Sequence, residues 1–431
     1  MDNEVSTYFS KNSYQAPVVY VEIMGVTFGL HDITDDQLDI TTIMQRPVTP
    51  NSLVKYPNLV TNLKVDKIVS GEINKYTLEI KYLPQDGEDP SYIDKLLSAN
   101  RTQNNSMITI AYGDGSLDGF NFRKYEAMVV GYKMKVDFST ACMTYTINAM
   151  SIASSYEITG PNGNIMQHSF VDRTNVRVSD IIKEIYYDPT YGLQLVFPGG
   201  IYIDGAHINE WDPKNPPDIL LEESTISGGK MTPFQYLKSL VPRMIASDIG
   251  IEESTGFLYS IDDGYRNQSF HIDRVLDSNG KTYADEIVIG TEGSVVIDYE
   301  VTTDMSLGIA IDYGKNKDPN AFTSYFVNSE NEEVELDTYG SIKTDSTDDA
   351  LVDKKWWDMV SSIPYGLRLV VRAMKRQIPL MTPIKVTILI KGRLYFLSGI
   401  YMVVKVNDEV NGNGYTTEME LLRTSGLEYI G

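Results

Sequence analysis

The chain of 431 residues contains a single cysteine, Cys142, so no disulfide can form within it. Cys142 lies in a strand-like run, and we interpret it as a small buried hydrophobic residue. A chain without a disulfide framework suits a reducing compartment. We therefore expect it to be made and folded in a cytoplasm.

Long apolar runs are also missing. No stretch approaches the roughly 18 consecutive apolar residues of a membrane-spanning helix, so no membrane span is expected. The opening stretch MDNEVSTYFSKNSYQ is polar and lacks a basic start followed by an apolar segment, so no secretory signal is expected. Residues 1–14 are instead predicted to form a flexible arm.

Positive charge is scarce: 37 Lys and Arg stand against 59 Asp and Glu, for a net charge of −22. Such a chain does not hold DNA or anionic lipid through its overall field, so no specific nucleic-acid binding is expected. Two interpretations stay open, an ordinary solvated acidic surface and a surface that must not adhere to a polyanion. Dense basic runs are absent, and the nearest set suggests a strand face or a contact with an acidic neighbour: Arg368, Arg372, Lys375 and Arg376.

Recognisable catalytic and metal-binding motifs are missing as well. None of the 4 histidines has the HExxH spacing, and no GxSxG element occurs. The segment HDITDD could gather a metal, but we interpret it as a solvated loop; its candidate ligands are His31, Asp32, Asp35 and Asp36. Asp114 and Asp118 in GDGSLDG lack the 12-residue calcium-loop pattern and indicate a hairpin turn. No catalytic residue, cofactor or metal is predicted, and the chain is expected not to be an enzyme.

What is present is mainly strand. From Ile400 to Asn407 and from Tyr415 to Leu422, residue types alternate with period two, with Ile400, Met402, Val404 and Val406 expected on one face. The sequence Asn411–Gly414 reads NGNG, which tolerates the positive φ of a chain reversal. These features predict a β-hairpin near the C-terminus.

Helices are predicted at fewer places. The apolar spacing predicts a short helix over 91–102, and capped helices are expected where Ser179 and Thr232 precede apolar stripes. An amphipathic helix over 348–363 holds Trp356 and Trp357. Either tryptophan could anchor a partner, although core packing is the alternative interpretation.

The pattern changes along the chain. Strand signals dominate 15–157 and 291–431, whereas 158–290 mixes helices, strands and loops rich in Gly and Pro. An acidic insert at 328–349 is expected to be a loop or a disordered excursion.

The two β-rich regions also show parallel order. Residues 63–82 parallel 295–313, MVVGYKMKV parallels YMVVKVNDEV, and MTYTINAMS parallels YTTEMELLR. A duplication of one domain and two unrelated sheets of similar composition both remain open.

The strands SGIYMVVKV and NGYTTEMELLR, with ITIAYGDG and AMVVGYKMKV, resemble the hub proteins of phage tail baseplates. The resemblance spans about residues 18–423 and includes TNVRVSDIIKEIYYDPTYGL, whereas 198–217 and 328–349 have no counterpart. The matching positions of the terminal hairpin are Gly399, Tyr401, Val403, Asn413, Gly414, Tyr415, Thr416, Thr417, Glu418, Met419, Leu421 and Arg423.

The resemblance implies a β-rich α+β fold, with two tail-tube-like β-barrel domains (15–157 and 291–431) and a mixed α/β middle domain (158–290). It implies a homotrimer whose six barrels match a sixfold tail tube above and a threefold spike below, around a lumen that DNA traverses. It further implies a place in the virion, at the baseplate. The implied partners are the tail tube or tube-initiator protein, the central spike protein, other baseplate proteins and the tape measure protein.

Two other functions stay open. A tail-associated cell-wall hydrolase would need a pair of carboxylates, and 59 acidic residues offer many pairs. A carbohydrate-binding tail module would need exposed aromatic side chains in a groove.

Overall fold

The computed structural model describes residue 9 and a set of longer segments. The described segments are 17–30, 55–56, 59–70, 73–84, 87–114, 123–158, 168–169, 178–190, 192–211, 219–221, 230–241, 244–246, 257–274, 283–291, 294–302, 323–327, 333–337, 366–372, 377–395 and 397–426.

The first β-rich region consists of long strands and one helix of three turns. Its strands are Pro17–Ile23 (β1), Val26–Gly29 (β2), Lys55–Tyr56 (β3), Val60–Ile68 (β4), Lys75–Tyr82 (β5), Met107–Asp114 (β6), Arg123–Asp137 (β7) and Cys142–Ser151 (β8). Helix α1 (Tyr92–Gln103) lies between β5 and β6 and buries Ile93 and Leu97, as the apolar spacing predicts.

The middle region combines short strands with short helices. Its helices are α2 (Ala153–Ile158), α3 (Val178–Tyr187), α4 (Pro233–Leu240) and a 3-10 turn at Leu193–Leu195. Its strands are His168–Ser169 (β9), Ile201–Ile203 (β10), Ala206–His207 (β11), Ile219–Leu221 (β12), Lys230–Met231 (β13), Met244–Ala246 (β14), Phe257–Asp262 (β15) and Ser269–Arg274 (β16).

Two capping predictions have different outcomes. Thr232 caps α4, because its side chain accepts from the Gln235 backbone N–H at 3.2 Å and the Gln235 side chain accepts from the Thr232 N–H at 3.0 Å. Ser179, by contrast, lies inside α3, which already begins at Val178, and it is buried. The expected cap at Ser179 is therefore wrong, since that residue packs into the core instead.

The second β-rich region ends in the longest hairpin of the described chain. Its strands are Asp285–Ile289 (β17), Val296–Thr302 (β18), Thr323–Val327 (β19), Glu333–Asp337 (β20), Gly366–Arg372 (β21), Pro383–Ile390 (β22), Arg393–Leu394 (β23), Gly399–Asn411 (β24) and Gly414–Gly426 (β25). Strand β20 lies within the acidic insert, so part of that expected loop is a strand paired with β19.

Strands of both β-rich regions join in one 15-stranded sheet within the described residues. Its order is β18-β21-β25-β24-β4-β5-β8-β7-β6-β1-β2-β3, with β22 also bonded to β24, and β17 and β23 bonded to β22. The β17–β22 and β2–β3 pairs are parallel, whereas the pairs of the two long hairpins are antiparallel.

Each β-rich region contains five strands in the same spatial order. The order is β4-β5-β8-β7-β6 in the first region and β18-β21-β25-β24-β22 in the second. We call these two sets repeat 1 and repeat 2. Strand β21 occupies the place of β5, so the sequence match of 295–313 to 63–82 holds for β18 only.

Two β-bulges in each repeat coincide, whereas a further register shift between Ile400 and Tyr401 has no equivalent in the β7–β8 pair. In repeat 1 the register shifts at Thr61 of β4 and Val130 of β7. In repeat 2 it shifts at Ile297 of β18 and Val404 of β24. Bulges are specific local features, and their agreement on two strands supports duplication over shared composition.

The strand register also agrees when the two repeats are aligned by their bulges. Leu78 of β5 pairs with Ile147 of β8, and Leu369 of β21 pairs with Met419 of β25. Counting from the bulges makes these two pairs equivalent. The prediction of a β-rich α+β fold is confirmed, with two β-rich regions and a mixed α/β middle region. The domain boundaries stay predictions.

The buried side chains form two clusters among the described residues. One contains the apolar faces of both repeats, for example Leu63 and Ile147 together with Leu369 and Val410. The other belongs to the middle region and packs α3 and α4 against the β10-β16-β15 sheet. The two repeats therefore share one core rather than two separate ones.

Candidate assembly surface

The terminal hairpin forms a wall of the shared core. On β25 every second side chain is buried, as the alternation predicts: Tyr415, Thr417, Met419 and Leu421. The intervening Thr416 and Glu418 are half-buried. In the turn, the Asn413 N–H donates to the Asn411 side chain at 2.8 Å, and Gly414 has a φ of 143°.

On β24 the expected alternation is interrupted. The bulge at Val404 adds one residue, so Tyr401 and Val403 share the core face with Val406 and not with Val404. The expected face containing Val404 and Val406 together is therefore wrong. The first half of β24 is covered on both sides, because it is buried at every position from Gly399 to Val403.

The remaining hairpin positions have structural contacts. The Tyr401 hydroxyl donates to the Leu397 carbonyl at 2.5 Å, Gly399 pairs with Val386, and the Arg423 backbone pairs with Tyr401. These positions build the sheet and present no reactive group.

Arg368 makes the acidic contact that its position predicts. Its Nε and Nη2 donate to the two carboxylate oxygens of Glu418 at 2.8 and 2.9 Å. This hydrogen bonding lowers the pKa of Glu418. Arg372 is exposed on the same strand, and Lys375 and Arg376 lie outside the described residues.

The pairing of β24 with β4, from Lys405 to Asn411, joins the two repeats, and we call it the seam. Asp408 is a buried carboxyl group on this part of β24. It accepts hydrogen bonds from the Tyr112 hydroxyl at 2.7 Å and from the Thr417 hydroxyl at 2.5 Å. Burial raises its pKa, although these hydrogen bonds and Lys67 act in the opposite direction. Because Tyr112 belongs to repeat 1 and Asp408 to repeat 2, this contact fixes one repeat against the other.

Asp263 is a second buried carboxyl group, and it connects the middle region to the first β-rich region. It follows β15 and accepts from Asn74 at 2.7 Å, from Tyr76 at 2.9 Å and from the Ser151 hydroxyl. Burial raises its pKa, and those hydrogen bonds lower it. All three donors belong to the first β-rich region, so Asp263 joins the middle region to it.

One lysine lies near both buried carboxyl groups. The Lys67 Nζ is 4.0 Å from the centroid of the Tyr125 ring, and its charge lowers the pKa of Asp263 and of Asp408. Tyr125 in turn stacks on Tyr112 at 5.5 Å between ring centroids. Lys67 therefore partly offsets the cost of burying the two carboxyl groups, within one aromatic and polar cluster at the junction of the three regions.

A cleft of about 410 Å³ opens beside this junction. Its lining includes Glu126, which accepts from the Gln268 side chain at 2.8 Å and from the Arg266 N–H at 3.1 Å. These contacts use the carboxylate to hold the β15–β16 turn, so we assign it a structural role.

Two of the strand edges that lack a partner among the described residues belong to β7 and β18. Strand β7 pairs with β6 from Arg123 to Met128, and the Val129 N–H donates to the Ser106 carbonyl at 2.8 Å. From Gly131 to Asp137 it pairs on one side only, with β8. Strand β18 pairs only with β21. Both edges carry exposed apolar side chains, including Val130 and Ile297. We call β7 from Gly131 to Asp137 the outer half of β7.

Several predicted residues lie outside the described part of the chain. Most of the 1–14 arm lies outside it, and so do the following residues: Trp356, Trp357, His31, Asp32, Asp35, Asp36 and Asp118. Within the described segments, no group of three His, Cys, Asp or Glu side chains is placed to hold a metal, and no helix is long and apolar enough to cross a membrane. Cys142 lies at the start of β8 as a free cysteine and is half-buried, so the expected burial is only partial.

Sequence reasoning missed the buried carboxyl groups and both free edges. Asp408 and Asp263 are acidic residues in strand or turn sequence, where an exposed side chain is the usual expectation. The free edge of β7 could have been suspected from its length, since its 15 residues exceed the 8 of β6.

Known proteins resemble this chain in fold. No family model and no curated protein sequence matches it. Among solved structures, the tail protein from Neisseria meningitidis MC58 aligns at a TM-score of 0.51 and 9% identity, covering 95% of this chain and 97% of that chain. The 43 kDa tail protein of prophage MuSo2 from Shewanella oneidensis aligns at 0.50 and 12% identity, with coverage of 95% and 97%. The chain therefore has the fold of phage tail proteins over nearly its whole length, and the resemblance in the sequence is confirmed at that level.

Proposed function

We propose that this protein is a structural hub of a phage-type tail baseplate, in which three copies form a ring of six tube-like repeats. The observation that carries the proposal is the register-level duplication within a chain that has the fold of phage tail proteins. Two equivalent repeats per chain give three copies a sixfold inner surface with threefold symmetry overall. Such a ring can join a sixfold tail tube to a threefold spike.

The charge and the buried carboxyl groups support a structural role in this proposal. A net charge of −22 suits a channel that DNA traverses without adhering. Asp263 and Asp408, which have raised pKa values, are buried, so substrate does not reach them. No described feature favours a cell-wall hydrolase or a carbohydrate-binding module, and we propose that the protein is not an enzyme.

The proposed partners follow from the position of a hub. They are the tail tube or its initiator above, the spike below, other baseplate proteins around it and the tape measure protein. The protein would then reside in the virion after synthesis in the host cytoplasm.

Electron microscopy of the purified protein, classified in two dimensions, tests this proposal. We expect a ring with a central channel and a mass of three times 48.4 kDa by light scattering. Particles of 48.4 kDa at every concentration, or an oligomer without a channel, would contradict the hub assignment.

A further inference from the structure

We infer that the outer half of β7 in one copy pairs, antiparallel, with β18 of the next copy. The register is the one that β24 and β4 use within the chain. This inference rests on the proposed function, because it assumes that copies assemble side by side. It adds the strands, the residue pairs and the order in which copies join.

The template for this interface lies inside the chain. The first half of β24 pairs with β22, whereas its second half, from Lys405 to Asn411, pairs with β4. In that seam Glu409 stands opposite Lys64, with 3.5 Å between the carboxylate oxygen and Nζ. Repeat 2 thus attaches to repeat 1 by the far half of one long strand.

Repeat 1 has the same long strand with its far half free. The β7 strand is equivalent to β24, since both carry a bulge at the same place, at Val130 and Val404. Its first half pairs with β6, the equivalent of β22. Among described residues nothing pairs with the free side of its outer half, where β24 has β4.

Repeat 2 offers the complementary free edge. Strand β18 is equivalent to β4 through the bulges at Ile297 and Thr61. In β4 the edge away from β5 is occupied by β24, but in β18 the edge away from β21 has no partner among the described residues. The chain therefore carries one donor strand and one acceptor strand of the same kind that its own seam uses.

Side chains on the two free edges are exposed, whereas the side chains at the equivalent positions of the seam are buried, as expected if a second copy covers the free edges. Met134 is 46% exposed and Tyr299 is 43% exposed. Their equivalents inside the seam, Asp408 and Leu63, are 2% and 0% exposed. Apolar side chains on a free strand edge are a liability unless a partner covers them, which supports a second copy as the occupant.

The transferred register brings complementary residues together. Counting from the bulges places Met134 opposite Val301, two side chains with apolar surface. It places Lys135 opposite Glu300, where the seam within the chain has Glu409 opposite Lys64. The Lys–Glu pair is thus present in both interfaces with its order exchanged, so each donor strand favours its own acceptor. At the end of the strand the same register places Asp137 opposite Asp298, a like-charged pair that weakens the contact there.

The resulting contact is head-to-tail. Each copy donates β7 and accepts on β18, so the same step repeats from copy to copy and closes into a ring when the rotation permits. Within the chain and between chains, the joint is the same pairing of strands.

Cysteine cross-linking tests the register. In a Cys142→Ser background, the double variant Lys135→Cys with Glu300→Cys should form a disulfide between chains, because directly opposite residues have suitable Cα separations. A non-reducing gel should then show dimer and trimer and no larger species. The matched control, Lys64→Cys with Glu409→Cys, has the same geometry within one chain and should stay at monomer mass.

Exchanging the charges of Lys135 and Glu300 tests the same interface independently of cross-linking. Lys135→Glu should weaken assembly several-fold by placing like charges opposite each other, and adding Glu300→Lys should restore it. Assembly is measured by the concentration at which half of the protein is oligomeric.

The outcomes separate this inference from the proposed function. Rings without cross-links, and without rescue by the exchanged pair, would overturn the β7–β18 interface while the hub function stands. Cross-linked ladders that continue beyond the trimer would support the interface and contradict the ring. Monomers without cross-links would contradict both.

Discussion

Asp408 shows how a single buried carboxyl group can position two domains. It lies on β24 of repeat 2 and accepts a hydrogen bond from the Tyr112 hydroxyl of repeat 1. Its other carboxyl oxygen accepts from the Thr417 hydroxyl. Losing an acceptor inside the core leaves hydroxyl donors without partners, which costs more than the hydrogen bond itself contributes. The neighbouring Glu409 presents the opposite case, since its ion pair with Lys64 is exposed and weak.

We expect Asp408→Ala to destabilise the fold by about 2–4 kcal/mol, because it leaves the hydroxyls of Tyr112 and Thr417 unsatisfied. Glu409→Ala, one residue away, should cost less than about 1 kcal/mol. Urea unfolding followed by circular dichroism measures both changes. Equal shifts in the two midpoints would show that Asp408 does not have the role we assign to it.

At the scale of the element, the bulge at Val404 decides which side chains face the core. Alternation alone correctly predicts the strands and the turn of the hairpin, because those depend on local residue types. It does not predict the face on both sides of a bulge, since one extra residue reverses the alternation. The residues Val403-Val404-Lys405 carry no glycine or proline that would mark the irregularity.

Deleting Val404 tests the bulge. Because Val403 pairs with Leu421 and Lys405 with Glu420, the deletion makes the alternation regular and keeps Val403 and Val406 on the core face. It removes the bend that the bulge introduces, and we expect a loss of about 1–3 kcal/mol with the fold retained. Val404→Ala keeps the residue count and should cost about 1 kcal/mol. Chemical denaturation and the near-ultraviolet circular dichroism of the two variants provide the comparison. A deletion variant that fails to fold would contradict this account, because it would show that the sheet needs the bend of the bulge and not only the correct facing of its side chains.

At the scale of the whole molecule, the sequence predicted the β-rich class and most helices, because each of these leaves a local pattern. It left the duplication open against two unrelated sheets of similar composition. It did not predict that both repeats share one sheet and one core. That junction pairs β24 with β4, which lie more than 300 residues apart, and neither strand carries a signal that names the other. The same reason hides the acceptor of β7, which the proposed assembly places on another copy.

A shared core predicts that the two repeats unfold together. Leu78 and Leu369 occupy equivalent buried positions in repeats 1 and 2. Each substitution to Ala should cost about 2–5 kcal/mol, and each should reduce the hydrogen-exchange protection of both repeats by the same amount, since the seam couples them. Mass spectrometry of exchanged peptides from β5 and β21 measures this directly. Loss of protection confined to the mutated repeat would show that the seam does not transmit stability, and the repeats would then be independent units that are merely hydrogen-bonded at one edge.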